Sequence, residues 1–126
     1  MGLAELALSG CTLTLDQLYL YPGGMRLEHA IHAGAEVGLR FHPTRAVMSI
    51  GTNAGGLPPD SLVDCAPAIL NDMIRVVDVF HDPRPGAMVR VGLAPGSPFS
   101  ISRGLGGYGA SRVRHGRDRT HQSGLE

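Results

Sequence analysis

The stretch LRFHPTRAVMSIGTNAGGLPPD, residues Leu39 to Asp60, decides how the rest of the chain is read. Leu39 to Phe41 is a short apolar strand that runs into His42, Pro43, Thr44 and Arg45. Beyond it stand Gly51, Gly55, Gly56, Pro58 and Pro59, residues that punctuate a backbone rather than extend it. A helical pattern follows at once. The stretch therefore predicts a strand whose C-terminal end opens into a long irregular loop. Loops longer than about 12 residues without their own secondary structure are usually functional or disordered. In α/β architectures the C-terminal ends of parallel strands are where ligands gather. Arg45 stands at the mouth of this loop, a fixed cation with a rigid fork of donors suited to a carbonyl, carboxylate or phosphate. Equally, it pairs with a neighbouring carboxylate and pins the loop. The residues alone leave both readings open.

Working outward, Met25 to Gly38 carries Leu27, Ala30, Ile31 and Ala35 at helical spacing, and Gly38 ends the helix. Glu28 and His32, and again His32 and Glu36, lie four apart on its side. No third ligand is near, so the group reads as a solvated face rather than a metal site. On the other flank, Asp60 or Ser61 is the expected N-cap of a helix in which Val63, Ala66, Ile69, Leu70, Met73, Ile74, Val77 and Phe80 form one apolar face. Pro67 fits that helix if the first turn begins near Ala66. Ala87 to Ala94 reads as a strand running into the loop Pro95-Gly96-Ser97-Pro98-Phe99-Ser100. At the front, residues 2 to 8 are the end of a helix stopped by Ser9-Gly10, and Cys11 to Leu15 is a strand. Asp16 at that strand's end is either functional or a cap for the next turn. Strands alternating with helices argue for parallel βαβ units with right-handed crossovers.

Composition sets the bounds. A chain of 126 residues with 43% hydrophobic content suffices for one domain. Every one of its 11 basic residues is Arg, and the formal net charge is zero, which offers no electrostatic case for a nucleic-acid or membrane partner. The start lacks a basic n-region and carries Glu5, which argues against a signal peptide. Cys11 and Cys65 have no metal-ligand spacing and form no disulfide framework. The cytoplasm is the expected compartment. From Arg103 the chemistry changes: five Arg and six Gly with few apolar residues give the tail a charge of +3 and leave −3 for the rest. Gly costs about 1 kcal/mol per helical position relative to Ala, so no stable helix is expected there.

Ser9 to Thr12 (SGCT), Tyr19-Leu20 before Pro22-Gly23, the run FHPTR…MS…GGLPPDS and the run FHDPRPGAMVRVGLAPGSPFS from Phe80 to Ser100 together resemble the amidohydrolase superfamily. The resemblance is strongest to its 8-oxoguanine deaminase and hydroxydechloroatrazine ethylaminohydrolase branch and covers residues 3 to 102. It implies a cytosolic (β/α)₈ barrel in which a bound metal, usually zinc, activates water to displace an amine from a purine- or triazine-like ring. Residues 1–102 then form a partial barrel: three parallel strands with crossover helices, matching the family's second to fourth strands. Residues 103–126 form a disordered, out-of-frame Gly/Arg tail. The resemblance also implies that Arg45 touches the substrate's ring carbonyl. Gly96 stands in the substrate-binding stretch where close relatives carry Cys, and Gln17 and Leu18 replace a His-containing pattern after Asp16.

The family's His-X-His pair, its His-Thr-His-Leu-Ala-Glu strand and its later metal-binding Asp have no counterpart in this sequence. Thr120-His121 lacks the flanking pattern. No metal ligand and no catalytic residue is therefore assigned, and the chain is expected to be inactive alone and without zinc of its own. The alternatives are a non-catalytic module that complements another barrel piece, and a small α/β protein whose tail binds nucleic acid. A homo-oligomer is compatible with each.

Overall fold

The computed structural model describes residues 2–97 and 99–105. Most of the expected tail, including His115 and His121, lies outside the described residues. Its first three residues are described, and Leu105 is buried. The described chain divides into two units, which are taken separately. The first comprises Met1–Ala46 and Pro67–Ala94; the second comprises Val47–Ala66 and the chain from Pro95.

In the first unit, helix α1 (Gly2–Leu8) stops where expected. Gly10 takes φ 88°, and the Cys11 N–H donates back to the Leu6 carbonyl at 3.0 Å. Strand β1 (Leu13–Leu18) and helix α2 (Leu27–Val37) follow. The same closure ends α2: Gly38 sits at φ 79° and the Leu39 N–H reaches the Gly34 carbonyl at 3.1 Å. Strand β2 (Arg40–Val47), helix α3 (Ala66–Phe80) and strand β3 (Gly92–Pro95) complete the order.

The strands form a parallel sheet in the order β1-β2-β3. Leu13 pairs with Arg40, and the register runs on to Leu18 with Arg45. The central strand contains Pro43. The Phe41 N–H donates toward the β3 side, to the Met88 carbonyl at 2.8 Å, so Pro43, two residues on, has no N–H to give there. The ladder is interrupted accordingly. An isolated parallel bridge joins Phe41 to Val89, and β3 proper starts only at Gly92.

Two strands run further than the sequence suggests. Strand β1 continues through Asp16, Gln17 and Leu18, so Asp16 is neither a strand end nor a helix cap; it pairs with Pro43 in the ladder. Strand β2 takes in Thr44, Arg45, Ala46 and Val47, so Arg45 lies inside the strand and not in the loop beyond it. Backbone pairing with β1 holds these polar residues extended despite their low apolar content.

Phe41 is the centre of the core, in contact with Leu27 and Ile31 of α2, Val76 of α3 and Val91. Helix α2 comes close because position 34 is glycine. A Cβ there would lie 3.1 Å from the Phe41 Cβ, tighter than ordinary packing.

In the second unit, the segment after β2 contains two 3₁₀ turns, Thr52–Ala54 and Asp60–Leu62. Asp60 does not cap α3. Its carboxylate accepts from the Thr52 hydroxyl at 2.9 Å and the Asn53 N–H at 3.2 Å, folding the loop back on itself. Gly51 leaves room for that carboxylate, since a Cβ at position 51 would overlap it. The Ser100 carbonyl accepts from the N–H groups of Ser49 at 2.7 Å and Ile50 at 3.1 Å, and the Ser102 N–H donates to the Ser49 hydroxyl at 3.0 Å.

Candidate functional site

Alternation along β2 sorts its side chains. Phe41, Pro43, Arg45 and Val47 share one face, and all four are buried. Because Phe41 packs on α2 and α3, this is the face that looks toward the helices. Arg40, His42 and Thr44 take the other face beside Leu13, Leu15 and Gln17, their register partners. Leu15 is 66% exposed there.

Arg45 is 5% exposed. Its Nε donates to Asp72 Oδ2 of α3 at 2.8 Å and its Nη1 to the Ala46 carbonyl at 2.6 Å. The guanidinium lies over the Tyr21 ring, 4.2 Å from the centroid, at a distance suited to a cation–π contact. Tyr21 is tied in turn by its hydroxyl, which donates to the Leu18 carbonyl at 2.9 Å. Of the two readings open in the sequence, the geometry therefore displays the ion pair, between a buried Arg45 and a partly exposed Asp72. Its position in the strand turns Arg45 toward α3, where Asp72 lies.

Asp72 is itself held. Arg75, three residues on, donates to Asp72 Oδ1 from Nη2 at 2.7 Å and from Nε at 3.1 Å. Arg75 Nη2 also reaches Glu28 Oε2 of α2 at 2.9 Å, and Arg26 lies 3.6 Å from the other Glu28 oxygen. Charges thus alternate from Arg26 through Glu28, Arg75 and Asp72 to Arg45. Burial pushes the Asp72 carboxyl up, but the hydrogen bonds and charges of Arg45 and Arg75 outweigh it and hold it below the usual carboxylate range. Glu28 behaves alike: burial raises it, but Arg75, its own backbone N–H and Arg26 outweigh that and hold it below its usual value. Burial raises the Tyr21 phenol, against the opposing charge of Arg45.

Of the α2 side chains read from the sequence as a solvated face, His32 and Glu36 are exposed, while Glu28 is committed to the charge network. Glu28 is paired, His29 Nδ1 accepts the Arg26 N–H at 3.2 Å at the start of α2, and His32 stacks edge-on against Phe80 at 5.9 Å. On the opposite face of the sheet, burial together with the charges of Arg90 and His81 pushes the His42 imidazole down. Asp16 remains exposed, and the Thr44 hydroxyl donates to its carbonyl at 3.2 Å. Gly96, in the second unit, has no room for a side chain. A Cβ there would stand 2.5 Å from the Val47 carbonyl oxygen and 3.3 Å from Ile101 Cγ2.

Sequence reasoning missed Tyr21, Asp72 and Arg75. A signal existed for the last two. They form an opposite-charge i,i+3 pair inside the apolar run of α3, bordering the buried Ile69, Met73 and Val76. What was not legible was that Asp72 reaches across to a strand 27 residues earlier.

No family model matches the chain. It is 45% identical over 104 residues to the 8-oxoguanine deaminase of Pseudomonas aeruginosa, a match covering 81% of this chain and 23% of that protein. It is 38% identical over 101 residues to the hydroxydechloroatrazine ethylaminohydrolase of a Pseudomonas species, covering 78% of this chain and 21% of that protein. The chain belongs to the amidohydrolase superfamily. It spans about a quarter of the length of these amidohydrolase relatives. A mutant atrazine chlorohydrolase from Arthrobacter aurescens, solved with zinc and atraton, superposes with a TM-score of 0.72 at 26% identity, covering 82% of this chain and 24% of that one. The three parallel strands and their helices are accordingly part of a (β/α)₈ barrel of the amidohydrolase type.

Among the described residues no three His, Cys, Asp or Glu side chains stand close enough to hold a metal ion. The donor set of the described residues does not fit the zinc of the solved neighbour. What the described residues supply is a cation of fixed orientation on the central strand and a loop whose backbone is tightly cross-bonded. Among them no helix is long and apolar enough to cross a membrane.

Proposed function

We propose that this chain supplies part of the substrate-orienting wall of a cytoplasmic, zinc-dependent aminohydrolase that cleaves a C–N bond of a purine- or triazine-like ring, and that it is inactive by itself. The observation that carries the reading is the 45% identity to an 8-oxoguanine deaminase over 104 residues. Arg45 is assigned to the ring carbonyl. A guanidinium has five N–H donors, and the pairing to Asp72 and Ala46 engages Nε and Nη1, which leaves others for a ligand. Gly96 is assigned to substrate binding on the resemblance alone. No zinc-binding or catalytic residue is assigned in this chain.

The test has two arms. The 126-residue chain is purified and assayed for zinc content and for ammonia release from 8-oxoguanine, guanine and a hydroxylated triazine. Neither zinc nor ammonia is expected. In the second arm, the matched stretch of the Pseudomonas aeruginosa deaminase is replaced by that of this chain. The hybrid is expected to bind zinc and release ammonia from at least one of these rings. A folded, zinc-loaded hybrid inert on all of them removes the assignment, as does deamination by the chain alone.

A further inference from the structure

We propose that Asp72 is a positioning residue, one that decides which edge of the Arg45 guanidinium is presented to a ring carbonyl. The inference rests on the reading of Arg45 as a carbonyl-binding residue and goes beyond it by assigning the group that aims it. A guanidinium on a flexible side chain can offer either its Nε/Nη edge or its Nη/Nη edge to a partner. Here Asp72 Oδ2 occupies Nε at 2.8 Å, which commits that edge to α3, and Nη1 donates to the Ala46 carbonyl at 2.6 Å, so that Nη2 is the nitrogen left to meet a carbonyl. The Tyr21 ring covers one face of the plane at 4.2 Å and resists rotation about the side-chain bonds.

Asp72 can hold this orientation because it does not itself move freely. Its second oxygen is taken twice by Arg75, and Arg75 is anchored to Glu28 on another helix. Helices α2 and α3 thus both fix the aim of one side chain on β2. A carboxylate recruited only to neutralise Arg45 would have no need of its own pair of donors and a second carboxylate behind them. The ordered chain of four charges is what orientation requires, since positional error accumulates through any loose link.

The experiment compares Arg45→Lys, Asp72→Asn, Asp72→Glu, Arg75→Gln and the Arg45→Lys/Asp72→Asn double variant in the hybrid deaminase, with 8-oxoguanine as probe. Melting temperatures are recorded so that all assays run where every variant is folded. Asp72→Asn should lower kcat/KM by about 10- to 100-fold, the range expected when a positioned group is displaced by around 1 Å. The double variant should be no worse than Arg45→Lys alone, because a misaimed fork and an absent fork fail alike. Asp72→Glu should recover part of the loss. Should Asp72→Asn fail to fold, Arg75→Gln, which leaves the Arg45–Asp72 pair in place, carries the test through a smaller loss that again vanishes in combination with Arg45→Lys. Losses that multiply in the double variant, or an unchanged kcat/KM in Asp72→Asn beside a damaged Arg45→Lys, overturn the positioning role while sparing Arg45. An unchanged Arg45→Lys overturns the reading on which it rests.

Discussion

Replacing Asp72 by Asn removes one charge and changes almost no volume, so it isolates the ion pair from packing. In the native chain the Arg45 side chain is 7% exposed and that of Asp72 is 30% exposed. Removing one partner of a fully buried pair costs about 3–5 kcal/mol, because the other charge is left desolvated and uncompensated. Two features reduce that figure here. Asp72 keeps partial contact with water, and the single Asn carbonyl still offers one neutral acceptor, although it cannot serve Arg45 and Arg75 at once as the two carboxylate oxygens do. What remains is the difference between a charged and a neutral acceptor, about 2 kcal/mol. Urea denaturation of the 126-residue chain followed by far-UV circular dichroism reads the loss as a lower midpoint at unchanged slope. The control is Asp82→Asn. Its partner Arg84 is 83% exposed, and solvent-screened pairs of that kind contribute little. The Asp72 loss should persist in high salt, while any Asp82 effect disappears. Equal losses for the two variants would refute the view that the Arg45–Asp72 pair is shielded from solvent.

Acid should weaken the fold in two stages. Burial with Arg90 and His81 lowers His42, so the unfolded state takes its proton first and stability begins to fall as pH drops below the ordinary histidine value of 6.5. Glu28 and Asp72 also titrate lower in the folded state, so their contribution is complete above the ordinary carboxylate range and is lost as pH falls through it. A urea midpoint that stays level between neutral pH and the carboxylate range would exclude the His42 part, and His42→Gln should flatten that upper stage alone. Gly96→Cys should destabilise the second unit by about 1–3 kcal/mol, since the new Cβ meets the Val47 backbone carbonyl, which cannot swing aside as a side-chain tip can. An unchanged denaturation midpoint would show that the loop yields freely.

Much of the fold was legible because local chemistry and tertiary contacts agree. The apolar periodicity of α2 and α3 needs only a helix and one neighbour to bury it. Gly10 and Gly38 end their helices through positive φ, a property of the residue and not of its surroundings. The strand cores were visible as apolar runs, but their ends were not. Asp16, Thr44 and Arg45 look like loop residues, and the ladder between β1 and β2 pairs all three in extended backbone. Helix capping by Asp60 was a sound local expectation, overridden because Thr52 and Asn53 fold back within reach of the same carboxylate.

The sequence by itself determined the alternation of strands and helices, the family, and the presence of one singular arginine after a strand. The alternation and the arginine follow from spacing and residue type, which are properties of the chain taken a few residues at a time; the family follows from the resemblance of several motifs in order. Only the tertiary structure decided what that arginine touches. The two-residue period of β2 turns Arg45 to the side of Phe41, and the crossover lays α3 against that side with Asp72 facing it. A partner 27 residues distant leaves no local pattern, because its place is set by helix packing on the sheet and not by its neighbours in sequence.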